Sequence, residues 1–167
     1  MTRGHLDMAV SVPNYVSLDP GGTTGVCVFD SSTGKIETFQ LGPQEHHLDL
    51  WVLLTTWDPD VVICEGFEYR NTARPGLILA SKEYIGMAKL WCLLNGKDYI
   101  EQTAAMAKGF IPDKGPRANV VLKKLGWYST AMKHANDATR HMVYWLVNGK
   151  HGLKAERDWI LNKGFKP

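Results

Sequence analysis

Residues 16–29, VSLDPGGTTGVCVF, constrain the fold of this chain more than any other stretch. Two short apolar runs, Val16–Leu18 and Val26–Phe29, flank a turn containing Pro20, Gly21, Gly22, Thr23, Thr24 and Gly25. Proline fixes φ and the glycines accept positive φ, so the chain can reverse direction there. The pattern predicts a β-hairpin whose first strand carries one carboxylate, Asp19, to its open end. Asp-Pro-Gly is also a common way to begin a turn, and Asp19 alone fits either role. Its meaning depends on whether other acids arrive at the same place.

A second stretch repeats the plan. In Asp60–Glu65 the run Val61-Val62-Ile63-Cys64 is continuously apolar, as in a strand covered on both faces beside parallel neighbours. It ends in Glu65 and then Gly66, and chemistry in α/β sheets favours the carboxyl ends of strands. A third acid lies in His134-Ala135-Asn136-Asp137-Ala138, which opens a helix running to Val147 with Ala138, Met142 and Trp145 as its apolar stripe. A spacing of three puts His134 and Asp137 on one helix face. Asp137 alone also fits a helix N-terminal cap. Jointly the three acids say more, because two like charges 4 Å apart cost about 4 kcal/mol at an effective dielectric near 20. A fold that gathers them needs cations, and hard oxygen donors suit Mg²⁺ or Mn²⁺. Two such ions can grip a phosphodiester, one activating the attacking water and one stabilising the leaving oxygen.

The remaining elements frame those acids. Strands are predicted at Tyr15–Asp19, Gly25–Asp30, Lys35–Leu41, Asp60–Glu65 and Tyr99–Glu101. A helix after Pro43 carries Leu48, Trp51, Val52 and Thr55 at helical spacing and stops before Pro59. Phe67–Gly76 reads as an exposed loop. Leu77–Asn95 is a helix apolar nearly all round, which predicts burial on two sides, one against the sheet and the other either against a second subunit or sunk in the core. Thr103–Phe110 and Ala118–Leu125 are short helical segments around a loop at Ile111–Pro116. This order predicts an α/β fold, a mixed five-stranded sheet with helices on both faces. The domain reading is an arm at 1–14, one domain at 15–147 and a basic tail at 148–167.

Composition permits this and decides little. With 167 residues, 44% of them apolar, the chain suits one domain with a real core. A net charge of +2 neither demands nor excludes nucleic acid. Cys27, Cys64 and Cys92 stand singly in apolar runs, which argues against a disulfide framework or a zinc site and for a reducing, cytoplasmic setting. The N-terminus lacks the apolar core of a signal peptide, and no run approaches the roughly 18 apolar residues of a membrane span.

The ordered set Leu18-Asp19-Pro20-Gly21, Cys64-Glu65-Gly66 and His134-Ala135-Asn136-Asp137-Ala138 resembles the RuvC Holliday junction resolvases, most closely their divergent bacteriophage-type relatives. The resemblance spans about Tyr15 to Val147 and implies a ribonuclease H-like fold. It implies that Asp19, Glu65 and Asp137 bind Mg²⁺ or Mn²⁺, two ions per site, with His134 in the fourth position, which other members fill with an acid or a histidine. The implied activity is metal-dependent nicking of branched DNA, leaving 5′-phosphate and 3′-hydroxyl ends. Where the family often places an aromatic wedge, three residues after the strand-end acid, this chain has Glu68 between Phe67 and Tyr69. Arg70 and Arg74 in that loop, with Lys108, Lys114, Arg117, Lys123 and Lys124, are the expected phosphate contacts. Symmetric resolution implies a homodimer, with the Leu77–Leu94 helix as its candidate interface. Three other readings share features of the sequence: an actin-like ATPase built on the Asp19–Thr24 loop, a nuclease of the same fold acting on RNA, flaps or forks, and a non-catalytic junction-binding protein.

Overall fold

The computed structural model describes residues 14–42, 46–66, 75–150 and 153–166, and the side chains of residues 46 and 75–79 are left aside. The arm up to residue 13 and the loop candidates Phe67, Glu68, Tyr69, Arg70 and Arg74 lie outside the described residues.

Strands β1 (Asn14–Asp19), β2 (Thr24–Asp30), β3 (Lys35–Leu41), β4 (Val61–Glu65) and β5 (Asp98–Gln102) form one sheet in the order β3-β2-β1-β4-β5. The first three make an antiparallel meander, while β4 pairs parallel with both β1 and β5. The sheet is therefore mixed, as predicted. The parallel register Leu18↔Cys64 makes Asp19 and Glu65 the next residues of adjacent strands, at the same edge.

Alternation along the strands divides the core in two. Val16, Leu18, Val26, Val28, Val62 and Cys64 face helices α1 (His46–Trp57) and α2 (Pro75–Asn95). Tyr15, Cys27, Phe29, Val61 and Ile63 face α5 (Lys133–Asn148), whose Ala138, Met142, Val143 and Leu146 complete that layer. Successive side chains of a strand point to opposite faces, so Asp19 shares the face of Tyr15, and Glu65 that of Val61 and Ile63. Both acids belong to the α5 side. Between β5 and α5 lie the short helices α3 (Ala104–Phe110) and α4 (Val120–Leu125).

Helix α1 differs from expectation. In α1 the buried residues are Leu50, Leu53 and Leu54, whereas Leu48 and Val52 are exposed. The segment LDLWVLL is apolar on several sides, so spacing alone does not select the face. Among the described side chains of α2, Tyr84, Ile85, Ala88, Trp91 and Cys92 are buried on the sheet side, while Leu90, Leu93 and Leu94 are exposed on the side that the sequence reading gives to a second subunit. The basic segment after Asn148 also forms structure. Lys154–Ile160 is helix α6, followed by a π-helical turn at Leu161–Phe165, and Ile160 is fully buried among the α5-side residues.

Cys27, Cys64 and Cys92 are free and buried. Burial pushes the Cys27 and Cys64 thiols up to about 12, which keeps them protonated and inert. Among the described residues no helix is long and apolar enough to cross a membrane.

Candidate active site

The N-terminus of α5 is brought against the ends of β1 and β2 by contacts that leave little slack. Gly25, paired with Asp19, lies so close to α5 that a Cβ on it would stand 1.9 Å from the His134 carbonyl oxygen. Gln40 Oε1 on β3 accepts the His134 backbone N–H at 2.9 Å. Buried Ser17 on β1 donates its hydroxyl to the Ala138 carbonyl at 2.7 Å. These bonds hold a helix that is unusually polar for its burial. Asn136, Asp137, Thr139, Arg140 and His141 are all buried, with Arg140 only 3% exposed. Buried charges persist in folded proteins only when paired, and each one here has a partner.

Asp19 Oδ2 lies 2.9 Å from His134 Nδ1. Asp137 pairs with Arg140 Nη1 and has Lys108 Nζ at 3.5 Å. Glu65 Oε2 lies 2.9 Å from His141 Nε2, and the other ring nitrogen of His141 lies 2.9 Å from Gln102 Oε1. Arg140 Nη2 in turn donates to Asn119 Oδ1. Three carboxylates thus meet one edge, each balanced by a nitrogen-bearing side chain.

Their electrostatics register the crowding. Burial raises the pKa of Asp19, repulsion from Glu65 and Asp137 raises it further, and the His134 hydrogen bond pulls the other way. The His134 pKa is raised, chiefly by that same hydrogen bond and against the effect of burial. Both shifts carry one sign for stability. A group whose pKa is higher in the folded state stabilises fully below its unfolded value and stops doing so above its folded value. The unfolded value of His is about 6.5. The metal-free protein is therefore expected to lose melting temperature as pH rises from about 6.5 through the raised His134 value. A series of thermal melts in EDTA from acid to alkaline pH measures this, with His134→Asn expected to flatten that portion. A melting temperature that climbs over the same interval would contradict the assignment.

The sequence-named residues fall into two groups. Asp19, Glu65, His134 and Asp137 are assembled at one edge, with Lys108 against Asp137 and Lys114 lining a cavity that Asp137 also lines. Lys123 instead lies over the Tyr128 ring, Lys124 donates to the Lys166 carbonyl, and Arg117 is exposed ahead of α4. Sequence reasoning missed Gln40, Gln102, Asn119, Arg140 and His141. The last two were legible by spacing, since residues 140 and 141 follow Asp137 at three and four along the same helix face. The other three come from distant elements and carry no local signal.

Among the described residues no group of three or more His, Cys, Asp or Glu side chains is disposed to hold a metal ion. Each acid is instead turned to a partner within the chain. The donor chemistry nevertheless fits a hard divalent cation: the groups at the edge are carboxylates, and the repulsion that lifts the Asp19 pKa is what such an ion would relieve.

No protein-family model and no curated protein matches the sequence. Solved structures match in shape. Thermus thermophilus RuvC in complex with a Holliday junction substrate gives a TM-score of 0.59 at 17% identity, covering 80% of this chain and 94% of that one. Another T. thermophilus RuvC structure gives 0.57 at 18% identity, covering 79% and 94%. The yeast mitochondrial Holliday junction resolvase gives 0.61 at 13% identity, covering 90% and 84%. The five-stranded mixed sheet of this chain, with helices on both faces, is the RuvC-like fold.

Proposed function

We propose that the protein is a divalent-metal-dependent endonuclease that nicks branched DNA and resolves four-way junctions by paired cuts. The observation that carries this reading is the meeting of Asp19, Glu65 and Asp137 at one sheet edge, close enough for the other two acids to raise the Asp19 pKa. A RuvC of the same fold is known in complex with a Holliday junction substrate, and the yeast structure is of a junction resolvase, which supports branched DNA as substrate.

Asp19, Glu65 and Asp137 are the residues that would hold Mg²⁺ or Mn²⁺, with His134 beside them. When bound, such ions supply activation of the attacking water and neutralisation of the leaving oxygen. The chain's own residues supply the rest. His134 keeps Nδ1 on Asp19, so Nε2 is the atom that accepts a proton from the incoming water. Lys108 and Arg140 add positive charge beside Asp137, where a phosphate must approach. His141 and Gln102 fix the rotamer of Glu65. A homodimer would supply two sites related by symmetry, and the exposed Leu90, Leu93 and Leu94 on the outer side of α2 support that assembly.

The test is a panel of end-labelled four-way junctions, flaps, forks, linear duplexes and RNA hybrids incubated with Mg²⁺ or Mn²⁺. Symmetric nicks confined to the junction, abolished by EDTA and restored by the metal, are the expected result. Equal cutting of flaps, forks or RNA would keep the nuclease and overturn the substrate. Binding without cutting under every metal condition would make this a junction-binding protein.

The support of Glu65 can be tested separately. His141 is wholly buried between Glu65 and Gln102, and outer partners of metal-binding side chains typically contribute 10–100-fold in metal affinity or activity. His141→Asn should weaken Mn²⁺ binding in calorimetry by about that factor. Unchanged Mn²⁺ affinity would show that His141 only fills space.

A further inference from the structure

Beside Asp137, the loops ahead of α4 and α5 enclose a cavity of about 230 Å³ with the α5 surface. A water's share of the liquid is about 30 Å³, so the cavity has room for a tetrahedral oxyanion and part of its solvation. Its charged lining is Lys114, Lys133 and Arg140 against Asp113 and Asp137, three positive groups to two negative. Lys114 and Lys133 are exposed.

Arg140 is the unusual member. It is 3% exposed and gives Nη1 to Asp137 and Nη2 to Asn119, yet its Nε has no hydrogen-bond acceptor among the described residues. Leaving a buried charged donor unsatisfied is costly. Asn119, which holds the other end of the guanidinium, stands at φ 59 in the left-handed region, an uncommon conformation for a residue with a side chain. The fold thus maintains an unfavoured backbone geometry and an incompletely satisfied buried cation in the wall of one cavity. Nε itself is closed to solvent, so an anion would answer the positive excess of the lining through the exposed ammonium groups of Lys114 and Lys133, with the buried Arg140 charge behind them.

We propose that this cavity seats one backbone phosphate of bound DNA, distinct from the phosphate that is cut, with Arg140 in the wall and Lys114 and Lys133 around it. The proposal rests on the branched-DNA reading and adds to it a subsite that fixes how the strand lies across the acids. Lys133 becomes a DNA contact, backed by the buried Arg140 charge, that charge clustering in the sequence does not single out.

The experiment measures binding of four-way junctions to Asp19→Asn protein in Mg²⁺ by fluorescence anisotropy. Each junction carries one uncharged methylphosphonate, moved linkage by linkage around the branch. At one linkage, neutralisation should weaken binding about tenfold, the scale of a charge-assisted contact. The double variant Lys114→Gln/Lys133→Gln, built from two exposed residues, should lose that position-specific sensitivity. Its plot of log affinity against log salt should be shallower by about 0.9 for the one phosphate no longer neutralised. If the double variant keeps the full sensitivity at every linkage, or no linkage stands out in either protein, the subsite is overturned while DNA binding stands. Failure of the parent protein to bind any junction would instead overturn the branched-DNA reading.

Discussion

Asp19→Asn is expected to reduce junction cutting by about 10³-fold or more while leaving junction binding within a few-fold of wild type. The substitution preserves shape and removes one charge from the place where, on our proposal, the metal charge is anchored. Metal stabilisation of transition-state charge amounts to several kcal/mol, and about 4 kcal/mol corresponds to 10³ in rate. The same change should not harm the fold. Burial and repulsion from Glu65 and Asp137 make the ionised Asp19 costly, so a neutral amide should leave the metal-free melting temperature equal or higher. The Asn side-chain oxygen can still accept from His134. Single-turnover cutting, anisotropy binding and a thermal melt on the same preparation separate the possibilities. A large fall in melting temperature, or cutting within tenfold of wild type, would remove Asp19 from the role proposed for it.

How far the site was legible depends on how local its determinants are. Asp19 and Glu65 stand out because each closes an apolar run that is readable as a strand, and alternation with period 2 puts both on one face. What alternation leaves open is which helix covers that face. α5 has the smallest share of apolar residues of the three long helices, yet residues 135–143 are buried without interruption. Its polar residues are sunk because they pair with the sheet-edge acids and with one another. A hydrophobic pattern registers no such pairing. The same limit explains α1, where the apolar surplus of LDLWVLL hid the buried face behind the exposed Leu48 and Val52. It also explains the C-terminal segment, where Ile160 is one deeply buried residue among charges. Lys123 and Lys124 adjoin the basic loop in sequence, but helical geometry turns them to Tyr128 and Lys166.

The second large effect concerns Gly25, and it acts on the fold before it acts on any chemistry. A Cβ at this position would lie 1.9 Å from the His134 carbonyl oxygen, 2.1 Å from its carbon and 2.7 Å from the Ala135 nitrogen. All three are backbone atoms at the start of α5, so no rotamer change relieves the overlap. Gly25→Ala must therefore push the helix off the sheet edge, stretching the Ser17 bond to Ala138 and the Gln40 bond to His134. Overpacking of a rigid site costs about 1–3 kcal/mol and sometimes more. With buried polar bonds lost as well, at about 1–3 kcal/mol each, the expected loss is on the order of 4 kcal/mol. Gly66→Ala is the control. Its added Cβ also meets atoms below 3 Å, but these belong to the Glu101 side chain, which is half-exposed and paired with a surface lysine, Lys89. A side chain that can swing into solvent makes that change worth about 0.5 kcal/mol, as for surface substitutions generally. Urea unfolding of the two variants should separate them by several-fold in lost stability. Equal, small losses would mean that α5 rests on the sheet more loosely than the Gly25 contact requires, and with it the joining of Asp137 to Asp19 and Glu65.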